Sequence, residues 1–318
     1  MDLDDKMKAI LNSPLGQAHY RRRPLSGRRK RRRPAKTTTA SPKRGSWKDA
    51  LRLHRRLKKR LKKYGDSKQD KALLKVISAC KKSRRCADAA CPKCNYAVQG
   101  VMNELHLDMR EGGIVFDTCI TIVPQLRFMM PKATETGSSS APDRGIGEAV
   151  IKFTKFRRWL DTAFDVSFVP TVIAVMDVNW NEYPNKEFKD HARPHLHGLT
   201  FGNQVKAGEK VLRGEFQKKG SINKPVEMED YDGDVHWFLY MLKIPDNRMI
   251  RRKNENGKWA RPATKSLRVQ QQLQQAVVLH EIGWAGRLYL RGVELIEGRK
   301  GWRLALTEFT PAVQKRGR

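Results

Sequence analysis

Two histidines one residue apart, His195 and His197 in Arg193-Pro194-His195-Leu196-His197-Gly198, carry the plainest chemistry in the chain. In a strand successive side chains point to opposite faces, so both imidazoles project from one face while Leu196 enters the core. Two neutral imidazoles on one face can hold a divalent cation. Asp177, after the apolar run Val172-Ile173-Ala174-Val175-Met176, offers a third ligand, with Glu182 as second choice. Two nitrogens and a carboxylate leave positions open for a phosphate oxygen. That donor set suits Mg2+ or Mn2+ and is compatible with Zn2+.

Downstream, helical spacing in His236-Trp237-Phe238-Leu239-Tyr240-Met241-Leu242-Lys243 puts His236, Tyr240 and Lys243 on one side. A phenol is a poor nucleophile at its ordinary pKa. It needs a cation beside it and positive charge on the group it attacks, which Lys243 and a cation at the histidine pair would supply. The same tyrosine would also suit an amphipathic position in a core.

A second constellation is Cys80-x5-Cys86-x4-Cys91-x2-Cys94, four thiols within fifteen residues. The closing Cys-Pro-Lys-Cys is a tight knuckle, and the set fits a closed, structural Zn2+ site. A redox reading needs a thioredoxin-like strand before the knuckle and leaves Cys80 and Cys86 unexplained. Cys119, in an apolar segment, reads as a small buried side chain.

Charge is distributed unevenly. Of a net +32, residues 1–85 carry +24, with 30 basic and 6 acidic side chains. The runs Arg21-Arg22-Arg23 and Arg28-Arg29-Lys30-Arg31-Arg32-Arg33 lie among Pro, Gly, Ser and Thr, so a self-repelling, disordered arm is expected over 1–46. Residues 47–63 read as a helix with Leu53, Leu57 and Leu61 along one face. Its other faces are basic and include Arg55, Arg56, Lys59 and Arg60. A basic arm on a nearly balanced body is the layout of a nucleic-acid-binding protein, and these arginines and lysines are its expected phosphate contacts. An acidic start, no apolar leader and no run of 18 apolar residues lead to the expectation of a soluble, intracellular protein without a membrane partner.

The elements that must position these groups alternate irregularly. Helices are expected near 69–79, 96–109, 148–164, 234–243 and 269–280. Strands are expected near 114–123, 169–178 and 195–201, with a C-terminal hairpin from 287–296 and 302–309. The class expected is α+β, a mostly antiparallel central sheet with helices packed on it. The expected divisions are a basic arm (1–46), a basic helical segment (47–79), a zinc-binding cysteine cluster (80–96), a catalytic domain (97–250) and a C-terminal extension (251–318).

In order and spacing these blocks resemble the HUH endonuclease superfamily, in particular rolling-circle replication initiators of small plasmids and single-stranded DNA phages. Thr118-Cys119-Ile120-Thr121-Ile122 looks like the family's first strand motif. Pro194-His195-Leu196-His197-Gly198 looks like its metal motif, and Tyr240-Met241-Leu242-Lys243 like its nucleophile motif. Cys86-x4-Cys91-Pro92-x-Cys94 resembles the cysteine cluster some plasmid initiators carry.

The resemblance implies a ferredoxin-like palm and a cation held by His195 and His197. It implies attack by Tyr240 on single-stranded or cruciform origin DNA, with Lys243 orienting or neutralising, and a 5′-phosphotyrosine intermediate. It also implies a bacterial cytoplasmic setting. Where some members carry a glutamate or a second tyrosine one turn before the nucleophile, this chain has His236. No Gly-x-x-x-x-Gly-Lys-Ser/Thr occurs, so a host helicase is the expected partner. A transposase or mobilisation relaxase of the same chemistry, and a non-enzymatic zinc protein that binds nucleic acid, are the competing readings.

Overall fold

A computed structural model describes residues 1–18, 47–81, 83–129, 145–167, 169, 171, 172–184, 188–217, 224–233, 241–242, 247–260, 262–298 and 301–307, with side chains left out for 202–207. Arg21, Arg22, Arg23, Arg28, Arg29, Arg31, Arg32, Arg33, His236, Tyr240 and Lys243 lie outside the described residues.

Within the expected disordered arm, residues 3–12 and 14–18 are helical, and 19–46 lie outside the described residues. In α1 (Leu3–Asn12) the Asp2 side chain caps the first turn by accepting from Asp5 N, and Met7, Ile10 and Leu11 recur at helical spacing and are fully buried. A short α2 (Pro14–Ala18) follows. Three buried apolar residues outweigh the local charge in deciding the fate of this stretch.

The basic helix α3 (Trp47–Tyr64) buries Ala50, His54, Leu57 and Leu61, so the expected leucine stripe docks, with His54 inside it and Leu53 only half-buried. A Ser67–Asp70 capping box opens α4 (Lys68–Ser78), and Pro92 at the first helical position opens α5 (Pro92–Glu111).

The fold is α+β with a mostly antiparallel mixed sheet. Its strands are β1 (Thr118–Ile122), β2 (Phe128–Met129), β3 (Val172–Glu182), β4 (His191–Thr200), β5 (Val226–Asp230), β6 (Asn247–Ile250), β7 (Ala263–Ser266) and β8 (Leu288–Arg291). The spatial order is β5-β1-β4-β3-β6-β7. β2 extends the β1 side of β4, β8 lies against β3, and β3 and β6 run parallel. β1, β3 and β4 are buried almost throughout, while β5 at the sheet edge is largely open.

α6 (Ile146–Val166) and α8 (Val269–Arg287) cover the sheet, and α7 (Gly202–Glu215) follows β4. Trp180 Nε1 on β3 donates to Gln275 Oε1 on α8 (2.6 Å), and the Tyr289 hydroxyl on β8 donates to Asp161 on α6 (2.7 Å).

The C-terminal segment enters the core fold. The strand expected over 287–296 is divided at Gly292, whose φ is 61°. Its first half, β8, joins the main sheet, and only its second half, β9 (Val293–Gly298), pairs with β10 (Gly301–Leu306). The α8 helix runs on past its expected end through a break at Gly283 (φ 59°). There the Asp4 carboxylate accepts from Trp284 N (2.6 Å) and Ala285 N (3.3 Å), so a residue of α1 caps the resumed turn. A Cβ at Gly283 would sit 2.7 Å from that carboxylate. Among the described residues no helix is long and apolar enough to cross a membrane.

Candidate functional site

The cysteines come from three local structures. Cys80 follows α4, Cys86 and Cys91 belong to the loop with left-handed Ala87 (φ 57°), and Cys94 sits in the first turn of α5. Their four sulfurs lie within 4.8 Å of one another, with Cys80–Cys94 at 3.6 Å and Cys86–Cys94 at 3.4 Å. Sulfurs held tetrahedrally about Zn2+ at ~2.3 Å stand about 3.8 Å apart, so these four residues could hold a metal ion of that kind. Hydrogen bonds from Cys86, Cys91 and Cys94 pull the Cys80 thiol well down. Burial pushes Cys91 up, and hydrogen bonding with Cys80 pushes Cys94 up. Four thiols this close cannot all ionise unaided. A dication removes that conflict.

The cluster is also a junction. The His54 Nδ1 of α3 lies 3.6 Å from Cys91 Sγ. On the other side, Trp284 Nε1 donates to Ala87 O (2.7 Å), Asp88 pairs with His280 (2.5 Å), and Arg287 Nη1 donates to Ala89 O (3.3 Å). The loop thus joins the basic helix to α8. His54 and Arg287 had no signal in the sequence, because both act through contacts between distant segments.

His195 and His197 project from one face of β4, with ring centroids 4.6 Å apart and planes at 85°. Three local features set them. β1 pairs with residues 196–200 and β2 with 191–192, so Pro194, which has no N–H, falls in the interval on that edge. Leu196 is fully buried behind the pair. Gly198 is required because a Cβ there would come within 2.6 Å of Ala174 Cβ on β3.

Thr121 lies opposite His197 across β1, and its hydroxyl meets His197 Nδ1 at 2.8 Å. His195 Nδ1 is buried and has no partner among the described residues. Burial draws His195 well below its ordinary value and His197 down to about 4, so both are neutral at pH 7.

Neither expected carboxylate completes the pair. Asp177 lies opposite His195 in the register, yet its Oδ1 accepts from Arg287 Nη2 at 3.1 Å, a fully buried ion pair. Burial outweighs Arg287 and pushes this carboxyl up to about 7. Glu182 accepts from Arg248 Nε (2.9 Å), Arg268 Nη2 (3.2 Å) and Gln271 Nε2 (3.0 Å). Among the described residues, the four cysteines are the one set of three or more His, Cys, Asp or Glu ligand atoms close enough to share a metal ion. His195 and His197 thus stand as a pair of imidazoles without a third ligand among the described residues.

Arg287 also bonds the segment between Tyr240 and Lys243. Its Nη2 donates to Leu242 O (3.3 Å), and the Asn95 amide bridges Leu242 O and Arg287 Nη1. Met241 and Leu242 are buried. On α3, Arg55, Arg56 and Lys59 are exposed, whereas Arg60 is half-buried against Gln272 Oε1. Burial, then Glu229 and Asp232, push the Cys119 thiol up to about 12, in keeping with an unreactive side chain.

No family model, curated protein or solved structure matches the chain, so the site stands on its own residues.

Proposed function

We propose that this protein nicks and rejoins single-stranded DNA, with Tyr240 as nucleophile and a divalent cation at His195 and His197. The observation that carries the reading is the pair itself: two neutral imidazoles on one sheet face, one with a buried nitrogen that has no partner among the described residues. The cation, Mg2+ or Mn2+, would polarise the scissile phosphate. The chain supplies the rest. Thr121 fixes the His197 ring, and Leu196 and Gly198 hold the strand. The Asp177–Arg287–Leu242 chain of bonds ties the strand beside the histidines to the peptide between Tyr240 and Lys243.

In the proposed step the Tyr240 oxygen forms a bond to phosphorus as the bond from phosphorus to the 3′-oxygen breaks; the phenol proton passes to solvent or a nearby base, and the departing 3′-oxygen takes up a proton from solvent to leave as a hydroxyl. Lys243 steadies the developing phenolate, and His236 assists release. The Zn2+ assigned to the cysteine cluster has a structural role in this scheme. Initiation of rolling-circle replication, with a host helicase, is the purpose the sequence resemblance favours over transposition or mobilisation.

A second reading is favoured by the commitment of Asp177 and Glu182 elsewhere. In that case the protein binds nucleic acid without cutting it. Incubation of the full chain with a labelled single-stranded origin oligonucleotide and Mn2+ separates the two. A covalent adduct on a denaturing gel, lost in Tyr240→Phe and reduced at least 100-fold, on the order of a lost catalytic group, in His197→Gln, supports the enzyme. Binding of cognate DNA without any adduct would sink it.

A further inference from the structure

The face of β4 that carries the histidine pair continues into a cluster of rings bordered by cations. Odd-numbered residues of β4 share that face, so Arg193 and His191 follow His195 toward the strand's start, with His191 and His195 roughly 13 Å apart at the rise of an extended strand. Tyr183, just past β3, stacks on His191 (centroids 5.5 Å, planes at 19°). Phe188 meets Tyr183 at 5.3 Å and lies near-parallel to Trp259 at 6.1 Å. Trp259 comes from the turn joining β6 to β7, so the cluster joins that turn to the connection between β3 and β4.

Cations line this cluster. Arg127 lies 5.8 Å from the Phe188 ring and Lys253 5.6 Å from the Trp259 ring. Arg193 donates to His191 (2.5 Å), and Arg251 donates to Asn181 Oδ1 (2.8 Å). Burial, with Arg127 and Arg251 close by, draws the Arg193 guanidinium down to about 10.

Three features separate this cluster from a small loop core. Phe188 and Trp259 are only half-buried. Among the described residues, Arg127 and Arg251 meet a ring and an amide rather than a carboxylate. The Tyr183 hydroxyl, on a side chain 4% exposed, has no partner there. The Asp190 carboxylate accepts from Tyr183 N at 2.7 Å, so the cluster holds an acid as well, but the half-buried rings beside Arg127 and Arg251 suit a ligand that carries both phosphates and flat bases. A duplex keeps its bases stacked inside and can offer only the phosphates.

We propose that Phe188 and Trp259, with Arg127, Arg251 and Lys253, form a stacking subsite for unpaired bases of single-stranded DNA. The subsite leads the strand along β4 toward His195 and His197. The inference rests on the reading of this face as the DNA-handling face, but it is measured by binding and needs no nicking.

The test is fluorescence anisotropy of the zinc-loaded full chain with a labelled oligothymidylate, at a salt concentration that screens the basic arm. Trp259→Ala and Phe188→Ala should each weaken single-strand binding roughly 5- to 100-fold while leaving duplex binding unchanged. Trp259→Phe, which keeps a ring, should retain most of the affinity and guards against a folding defect in the alanine variant. Arg127→Gln should lower the salt slope by about one phosphate contact. An unchanged affinity in Trp259→Ala, or an equal loss for duplex and single strand, would overturn the subsite. Tighter, Trp259-dependent binding of oligouridylate than of oligothymidylate would overturn the assignment to DNA. Trp259-dependent binding without a covalent adduct overturns the nicking reading alone, and an adduct with Trp259-independent binding overturns the subsite alone.

Discussion

The cysteine cluster and the histidine pair are two candidate metal sites built on opposite plans. The cysteines lie within fifteen residues and bring four donors together by local turns. The histidines bring two donors from one strand and depend on distant segments for anything more. The four sulfurs converge to within 4.8 Å, whereas the carboxylate opposite His195 is taken by Arg287. A local motif carries its own geometry. A motif shared between distant segments competes for every partner with the rest of the fold.

The largest expected effect breaks the first half of that comparison. Structural Zn2+ contributes on the order of 10 kcal/mol of apparent binding energy at neutral pH in small zinc modules. Chelation, or Cys94→Ser, should therefore lower the melting temperature sharply and free α3 from its His54 contact. Zinc content measured by mass spectrometry should fall from one equivalent to none. An unchanged melting temperature with no zinc bound would show that the cluster is held by packing alone.

The second prediction sharpens the other half. Removing one partner of a buried ion pair leaves the other charge exposed to a poor solvent, a cost of about 3–5 kcal/mol. Arg287→Met should destabilise by that order in denaturant titration, with zinc retained. Because Arg287 also bonds Leu242 and Ala89, it should loosen both segments, visible as faster amide exchange. A loss below about 1 kcal/mol, within the range of exposed pairs, would mean that Asp177 is free to serve the histidines.

The smallest effect lies at the junction of the two regions. Hydrogen bonding to Asp88 raises the His280 imidazole above its ordinary 6.5. A raised value favours the protonated form in the fold. The stabilisation is complete below the unfolded value of 6.5 and is lost as pH rises through the folded one. Wild-type protein should therefore lose a small increment of melting temperature between pH 6 and 8 that His280→Gln does not show.

Much of the fold was legible as pattern. The leucine stripe of α3, the alternation in β1 and the apolar run in β3 each follow from periodicity, and all three elements form. The helical start of the chain was not legible as order, because Met7, Ile10 and Leu11 make one short apolar face among acidic and basic neighbours. What orders it is the burial of those three side chains against the body, together with the reach of Asp4 to the break in α8 at Gly283, 279 residues away in the chain. The split of the C-terminal strand was equally hidden. Gly292 reads as an ordinary strand glycine until β8 is seen to pair with β3.

The cysteine cluster and the histidine pair differ in the same way. Spacing alone determined that Cys80, Cys86, Cys91 and Cys94 could share an ion, and that His195 and His197 would share a strand face, because both follow from local backbone geometry. Only the tertiary structure decided that Asp177 and Glu182 are held by arginines, that His54 joins the cysteines, and that Tyr183, Phe188 and Trp259 meet beside β4. Each of those outcomes is a competition between partners distant in sequence, settled by which contact buries its charge or ring with the least loss of solvation.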